Sequence, residues 1–158
     1  MANKNAALGE ILVQKGWLTR ERVEEGLRKQ KSTREFLGAI LLREKWITEE
    51  QLTAALSEQF RIPHVSLRNF YIDWELVMKF SASLISEHQC FPLRKDGLTV
   101  VFGITNPLDA WAIARAESET KGHSVTFVLV NRSEMTDLLE RYRQHVNIQI
   151  RHSLGEAQ

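Results

Sequence analysis

Residues 7–30 read ALGEILVQKGWLTRERVEEGLRKQ, and residues 36–59 read FLGAILLREKWITEEQLTAALSEQ. Offset by 29 positions, the segments share Leu8/Leu37, Gly9/Gly38, Ile11/Ile40, Leu12/Leu41, Trp17/Trp46, Thr19/Thr48, Glu21/Glu50, Leu27/Leu56 and Gln30/Gln59. Val13/Leu42, Leu18/Ile47 and Val23/Leu52 keep apolar character. So dense a self-match is an internal duplication, and a unit this short cannot bury its apolar face without its neighbour.

Each copy reads as a helix hairpin. Leu8, Ile11 and Leu12, like Leu37, Ile40 and Leu41, recur at helical spacing. A short connector follows, Lys15–Leu18 in one copy and Lys45–Ile47 in the other. Thr19 and Thr48 then stand where a side-chain oxygen can accept from the free N–H groups of a new helix. Gln51 lies three residues after Thr48, the spacing of a capping box; Arg22 holds that place after Thr19. Val23 and Leu27, then Leu52, Ala55, Leu56 and Phe60, form the apolar face of the second helix.

Two features go beyond packing. Glycine inside a helix costs about 1 kcal/mol relative to alanine, so Gly9 and Gly38 imply close approach to the backbone by another helix or by a ligand. Gln30 and Gln59 close the units, and an amide offers both donors and an acceptor. That suits a nucleobase edge, and equally an ordinary helix end.

The doubled pattern of Leu-Gly, then Leu27 or Leu56, then Gln30 or Gln59, with spacer 31–35, resembles the MshEN family. These are N-terminal regulatory domains of type II secretion and type IV pilus assembly ATPases, also appended to some glycosyltransferases. The resemblance spans about residues 7–142. It implies a cyclic di-GMP sensor in which each repeat cradles half of the two-fold symmetric ligand. The implied contacts are Leu8, Gly9, Val23, Leu27 and Gln30 from the first unit, and Leu37, Gly38, Leu52, Leu56 and Gln59 from the second. The implied partner is an effector: an assembly ATPase, a glycosyltransferase or an inner-membrane platform protein. Flat apolar surface suits guanine, and helix N-terminal N–H groups suit phosphate. The chain departs from the pattern where an arginine precedes Leu-Gly, since Ala7 and Phe36 stand there, and where Lys45 replaces Gly16. Arg22, Arg34 and Arg61 are the candidates to supply the missing guanidinium. The alternative reading is a docking domain of the same fold that no longer binds nucleotide.

Composition shifts at Arg61-Ile62-Pro63-His64, where Pro63 stops a helix. Beyond it the expected order is a strand at His64–Leu67, short helices over 73–80 and 81–88, and a hairpin of Cys90–Lys95 and Leu98–Ile104 about Asp96-Gly97. A helix over Asp109–Thr120, a strand over Ser124–Val130 and a helix capped by Asn131 with Glu134 complete it. The fold class is α+β. Residues 1–60 form a helical subdomain of two tandem hairpins, 61–142 a small α+β sandwich, and 143–158 a polar, fraying tail. Asp109, after Asn106-Pro107-Leu108, is an ordinary N-cap or, by the resemblance, a further ligand contact.

The sequence offers no catalytic chemistry to assign. It has no G-x-x-x-x-G-K-S/T loop, no H-E-x-x-H and no G-x-S-x-G. His64, His88, His123, His145 and His152 are scattered without metal-ligand spacing, so neither a metal nor a cofactor is expected. A net charge of +1 gives no field for nucleic acid. The single cysteine, Cys90, reads as a small buried hydrophobe and fits a reducing, cytoplasmic setting. No apolar run approaches the roughly 20 residues of a spanning helix, so a membrane is reached only through a partner.

Overall fold

The computed structural model describes residues 4–155. It divides into two compact units at His64/Val65, a few residues beyond the expected boundary at 60.

The first unit is all helical: α1 (Lys4–Gln14), α2 (Arg20–Thr33), α3 (Leu37–Arg43) and α4 (Glu49–Phe60). Both connectors close alike. Trp17 N donates to Leu12 O at 3.0 Å and Gly16 N to Val13 O at 2.9 Å, while Trp46 N donates to Leu41 O at 3.1 Å and Lys45 N to Leu42 O at 2.9 Å. This paired closure needs a left-handed residue at the turn; Gly16 supplies it at φ 72° and Lys45 at φ 59°. Thr19 accepts from Arg22 N at 3.3 Å, and Thr48 from Gln51 N at 3.1 Å. Gln51 Oε1 in turn accepts from Thr48 N at 2.9 Å, completing the capping box.

The copies pack crosswise, α1 chiefly on α4 and α2 on α3. Leu8, Leu12, Leu18, Leu37, Ile40, Leu41, Ile47, Leu52, Ala55 and Leu56 make the core. Gly26 lets α3 close in: a Cβ there would stand 3.0 Å from Leu37 Cδ1. Its counterpart is the buried Ala55.

The second unit holds a three-stranded sheet, β1 (Phe91–Asp96), β2 (Thr99–Ile104) and β3 (Ser124–Leu129), in the order β1-β2-β3. β1 and β2 form the expected antiparallel hairpin, and β3 runs parallel to β2 after a crossover through α6 (Ala110–Glu119). One helical turn, α5 (Trp74–Val77), and one π-helical turn, Ser83–Glu87, stand where two short helices are expected.

Three expectations are corrected. Residues 64–67 make no strand. Val65 N donates to Leu129 O at 3.0 Å, but Leu67 N goes instead to the carboxylate of Glu134. Asn131 makes no side-chain capping bond, and the Glu134 carboxylate that would complete a capping box accepts from Leu67 N instead. The tail does not fray at 143, for α7 runs Arg132–Ser153. His145 stacks on Trp74 with ring centroids 4.1 Å apart, which ties the helix down one turn beyond the buried Tyr142.

Candidate functional site

The repeats divide sharply in what they expose. In α2, Arg20, Val23, Glu24 and Leu27 follow i, i+3, i+4, i+7 spacing and share one face. With Gly9, Glu10 and Val13 of α1 they line a depression of about 190 Å³. Gly9 is its floor. Glycine lets Val23 close in there, since a Cβ would meet Val23 Cγ1 at 2.6 Å. Arg20 stands at the rim, 3.4 Å from Glu10 and solvent-exposed. The guanidinium beside this copy is therefore Arg20, rather than Arg22, Arg34 or Arg61. Arg22 lies over the Trp46 ring, 5.5 Å from its centroid. The helical spacing from Arg20 to Leu27 is visible in sequence and marks the residue.

The second copy is shut. A Cβ on Gly38 would meet Phe36 Cε1 at 2.7 Å and Leu52 Cδ1 at 2.8 Å. The counterparts of Val23, Glu24 and Leu27 are Leu52, Thr53 and Leu56, all buried. Local backbone explains the difference. Ala7 lies within α1, whereas Phe36 is the N-cap of α3 in extended conformation (φ −64°, ψ 132°), so its ring can fold back on the next turn.

Of the ten repeat residues assigned to the ligand, the structure brings Gly9, Val23 and Leu27 to one depression, with Val23 and Leu27 half-buried and Gly9 buried beneath Val23. Leu8, Leu37, Leu52 and Leu56 are core residues, each at most 3% exposed. Where each repeat is expected to cradle half of the ligand, the depression lies on the first copy. Gln30 lies past Leu27 on α2, and its Nε2 donates to Glu35 O at 2.9 Å, holding the spacer. Gln59 is half-buried near the end of α4. A helix N-terminus lies beside Leu-Gly in the second copy alone, since α1 begins by Lys4 and α3 at Leu37.

Asp109, in the second unit, takes the ordinary role: its Oδ1 accepts from Ala112 N at 3.0 Å and caps α6. Burial pushes its carboxyl up, but the hydrogen bond from His88 and the capping N–H groups outweigh this and hold it below its usual value. His88 Nδ1 lies 2.9 Å from Asp109 Oδ2, and its ring stacks on Trp111 at 3.8 Å. Trp111 is thus a half-exposed surface residue. Cys90 is buried, and burial with nearby Asp109 and Glu119 pushes its thiol up to about 12, too high for reactivity. A larger cleft, about 820 Å³, lies between residues 66–71 and α7. It contains none of the expected site residues, and Glu134 within it is already engaged by Leu67. Among the described residues no three His, Cys, Asp or Glu side chains converge as a metal site. No described helix is long and apolar enough to cross a membrane.

A duplicated helical unit thus precedes a small α+β unit built on a three-stranded sheet, and the first repeat carries a shallow depression. The MshEN domain model matches residues 60–147, so the chain belongs to that family. The match lies on the second unit and the last residues of the first; most of the repeat falls outside it. Among relatives, the type IV pilus assembly ATPase PilB of Myxococcus xanthus is 22% identical over 135 residues, covering 85% of this chain and 24% of PilB. The chain thus spans about a quarter of that relative. Among solved structures, that of MshE with cdg superposes with a TM-score of 0.75 at 24% identity, covering 85% of this chain and 97% of that one. The N-terminal domain of XpsE gives 0.73 at 21% identity, covering 89% and 96%.

Proposed function

We propose that this chain is a regulatory domain that binds cyclic di-GMP, with the first repeat as its principal seat and occupancy passed to an assembly ATPase, glycosyltransferase or membrane-platform partner. It acts in the cytoplasm as a binding domain, not an enzyme. One observation carries the reading: a depression on the first copy lined by Gly9, Val13, Val23 and Leu27, with Arg20 at its rim beside Glu10 and Glu24. Val23 and Leu27 offer flat surface to a guanine. Arg20 offers the planar fork that suits phosphate. The family, and the MshE relative whose solved structure is with cdg (read here as cyclic di-GMP), support the choice of ligand. The PilB relative supports an ATPase partner.

Calorimetric titration of the purified chain with cyclic di-GMP tests this. Binding is expected, and Arg20→Ala should weaken it roughly tenfold, the loss of one charge-assisted contact, with the circular dichroism unchanged. No heat at high micromolar ligand overturns the reading. The covering of Gly38 favours a second one, a docking domain indifferent to nucleotide. In that case the effector is captured equally with and without cyclic di-GMP.

A further inference from the structure

We infer that Phe36 is a built-in occupant of the second half-site, so that cyclic di-GMP meets one open seat and one that must be cleared. The inference rests on the ligand reading above and extends it to a residue that sets affinity and ligand selectivity.

Its basis is the mismatch between positions related by the duplication. Ala7 ends at a methyl inside α1 and leaves Gly9 at the floor of a depression. Phe36 carries an aromatic ring, and that ring lies where a Cβ of Gly38 would project. Phe36 Cε1 and Leu52 Cδ1 would stand 2.7 and 2.8 Å from that Cβ, so two side chains cover Gly38 where Val23 alone covers Gly9. Phe36 is only half-buried, so its ring lies at the edge of the core. The open seat, at about 190 Å³, is smaller than the roughly 300 Å³ at which ligand pockets begin, and it receives one base, not a dinucleotide. The chain as it stands should therefore distinguish poorly between a ligand with two guanines and one with a single guanine.

The test compares wild type, Phe36→Ala and Phe36→Leu by calorimetry, with cyclic di-GMP and with 5′-GMP as probes. Phe36→Ala should bind cyclic di-GMP at least fivefold more tightly than wild type, while 5′-GMP changes less than twofold. Phe36→Leu, which keeps an apolar cover, should stay near wild type. A gain below fivefold in Phe36→Ala overturns the inference and leaves the proposed function standing. Absence of binding in every protein overturns both. Amide NMR of the wild type gives a readout that needs no variant. On titration with cyclic di-GMP the Gly9 amide should shift at lower ligand concentration than that of Gly38, and parallel shifts overturn the inference.

Discussion

In the first copy of the repeat, Ala7 is a helical residue and Gly9 lies at the base of an open depression; in the second, Phe36 is extended and its ring lies on Gly38. The interiors agree in part. Leu8, Leu12 and Leu18 are buried like Leu37, Leu41 and Ile47, the same threonines cap α2 and α4, and the same backbone bonds close the connectors. But Ile11, Val23 and Leu27 are half-buried where Ile40, Leu52 and Leu56 are buried. The copies differ in burial along one face of the second helix, where the exposed or half-buried Arg20, Val23, Glu24 and Leu27 correspond to Glu49 and the buried Leu52, Thr53 and Leu56. Packing thus buries more of the second copy than of the first, and the depression of about 190 Å³ lies on the first.

The strongest way to break this comparison is to fill both glycines. Gly38→Ala places a methyl against two groups, Phe36 and the 3%-exposed Leu52, which has no room to retreat. Overpacking costs about 1–3 kcal/mol, partly offset by about 1 kcal/mol of helix propensity gained over glycine. Gly9→Ala meets Val23 alone, which is half-buried and can yield toward the depression. Thermal melts should show the larger loss, by about 1 kcal/mol, for Gly38→Ala. Equal losses would mean that the copies are equally open at this position.

A smaller effect sharpens the likeness. Gly16 and Lys45 hold the same left-handed turn position. Glycine adopts it freely, whereas an L-residue with a long side chain pays about 1 kcal/mol. Lys45→Gly should raise stability by about that amount and Gly16→Lys should lower it similarly, read from denaturant midpoints at constant m. A neutral Lys45→Gly would show that the second connector differs from the first despite its matching bonds.

Much of this was legible in the sequence because it is local. The duplication, Thr19 and Thr48 as caps, the capping box at Gln51 and the β1–β2 hairpin all depend on neighbours within a few residues. What escaped depends on distance or on a single dihedral choice. Glu134 as a partner for Leu67 N joins residues 67 apart in sequence, so its capping role was misread. The continuation of α7 past Tyr142 leans on Trp74, far away in the chain. At the site, the resemblance implied Leu8, Leu37, Leu52 and Leu56 as ligand contacts, whereas they are core, the place that helical periodicity alone gives them. The fold of Phe36 onto Gly38 depends on Phe36 being extended where Ala7 is helical.

The weakest effect bears on how the copies recognise each other. Lys15 pairs with Glu58 at 2.9 Å, and Lys29 with Glu44 at 2.7 Å. By the duplication, 15 corresponds to 44 and 29 to 58 (each 29 apart), so the two bridges are the same bridge with its polarity reversed. Both cations belong to the first copy and both anions to the second. Pairing of like copies, as in a swapped dimer, would set Lys15 against Lys29 or Glu44 against Glu58, and the arrangement favours unlike copies within one chain. Glu44 also carries a pH signature. The hydrogen bond from Lys29 outweighs burial and holds its carboxyl below the ordinary value. A folded-state value lowered in this way gives stability that is present above the unfolded value and lost as pH falls through the folded one. The Lys15–Glu58 bridge is exposed and worth only a few tenths of a kcal/mol. Lys15→Glu and Glu58→Lys should each lower stability slightly, and the double exchange should recover it at low salt, with the coupling vanishing in high salt. If the double exchange recovers nothing, polarity does not sort the copies and their crosswise packing rests on shape alone.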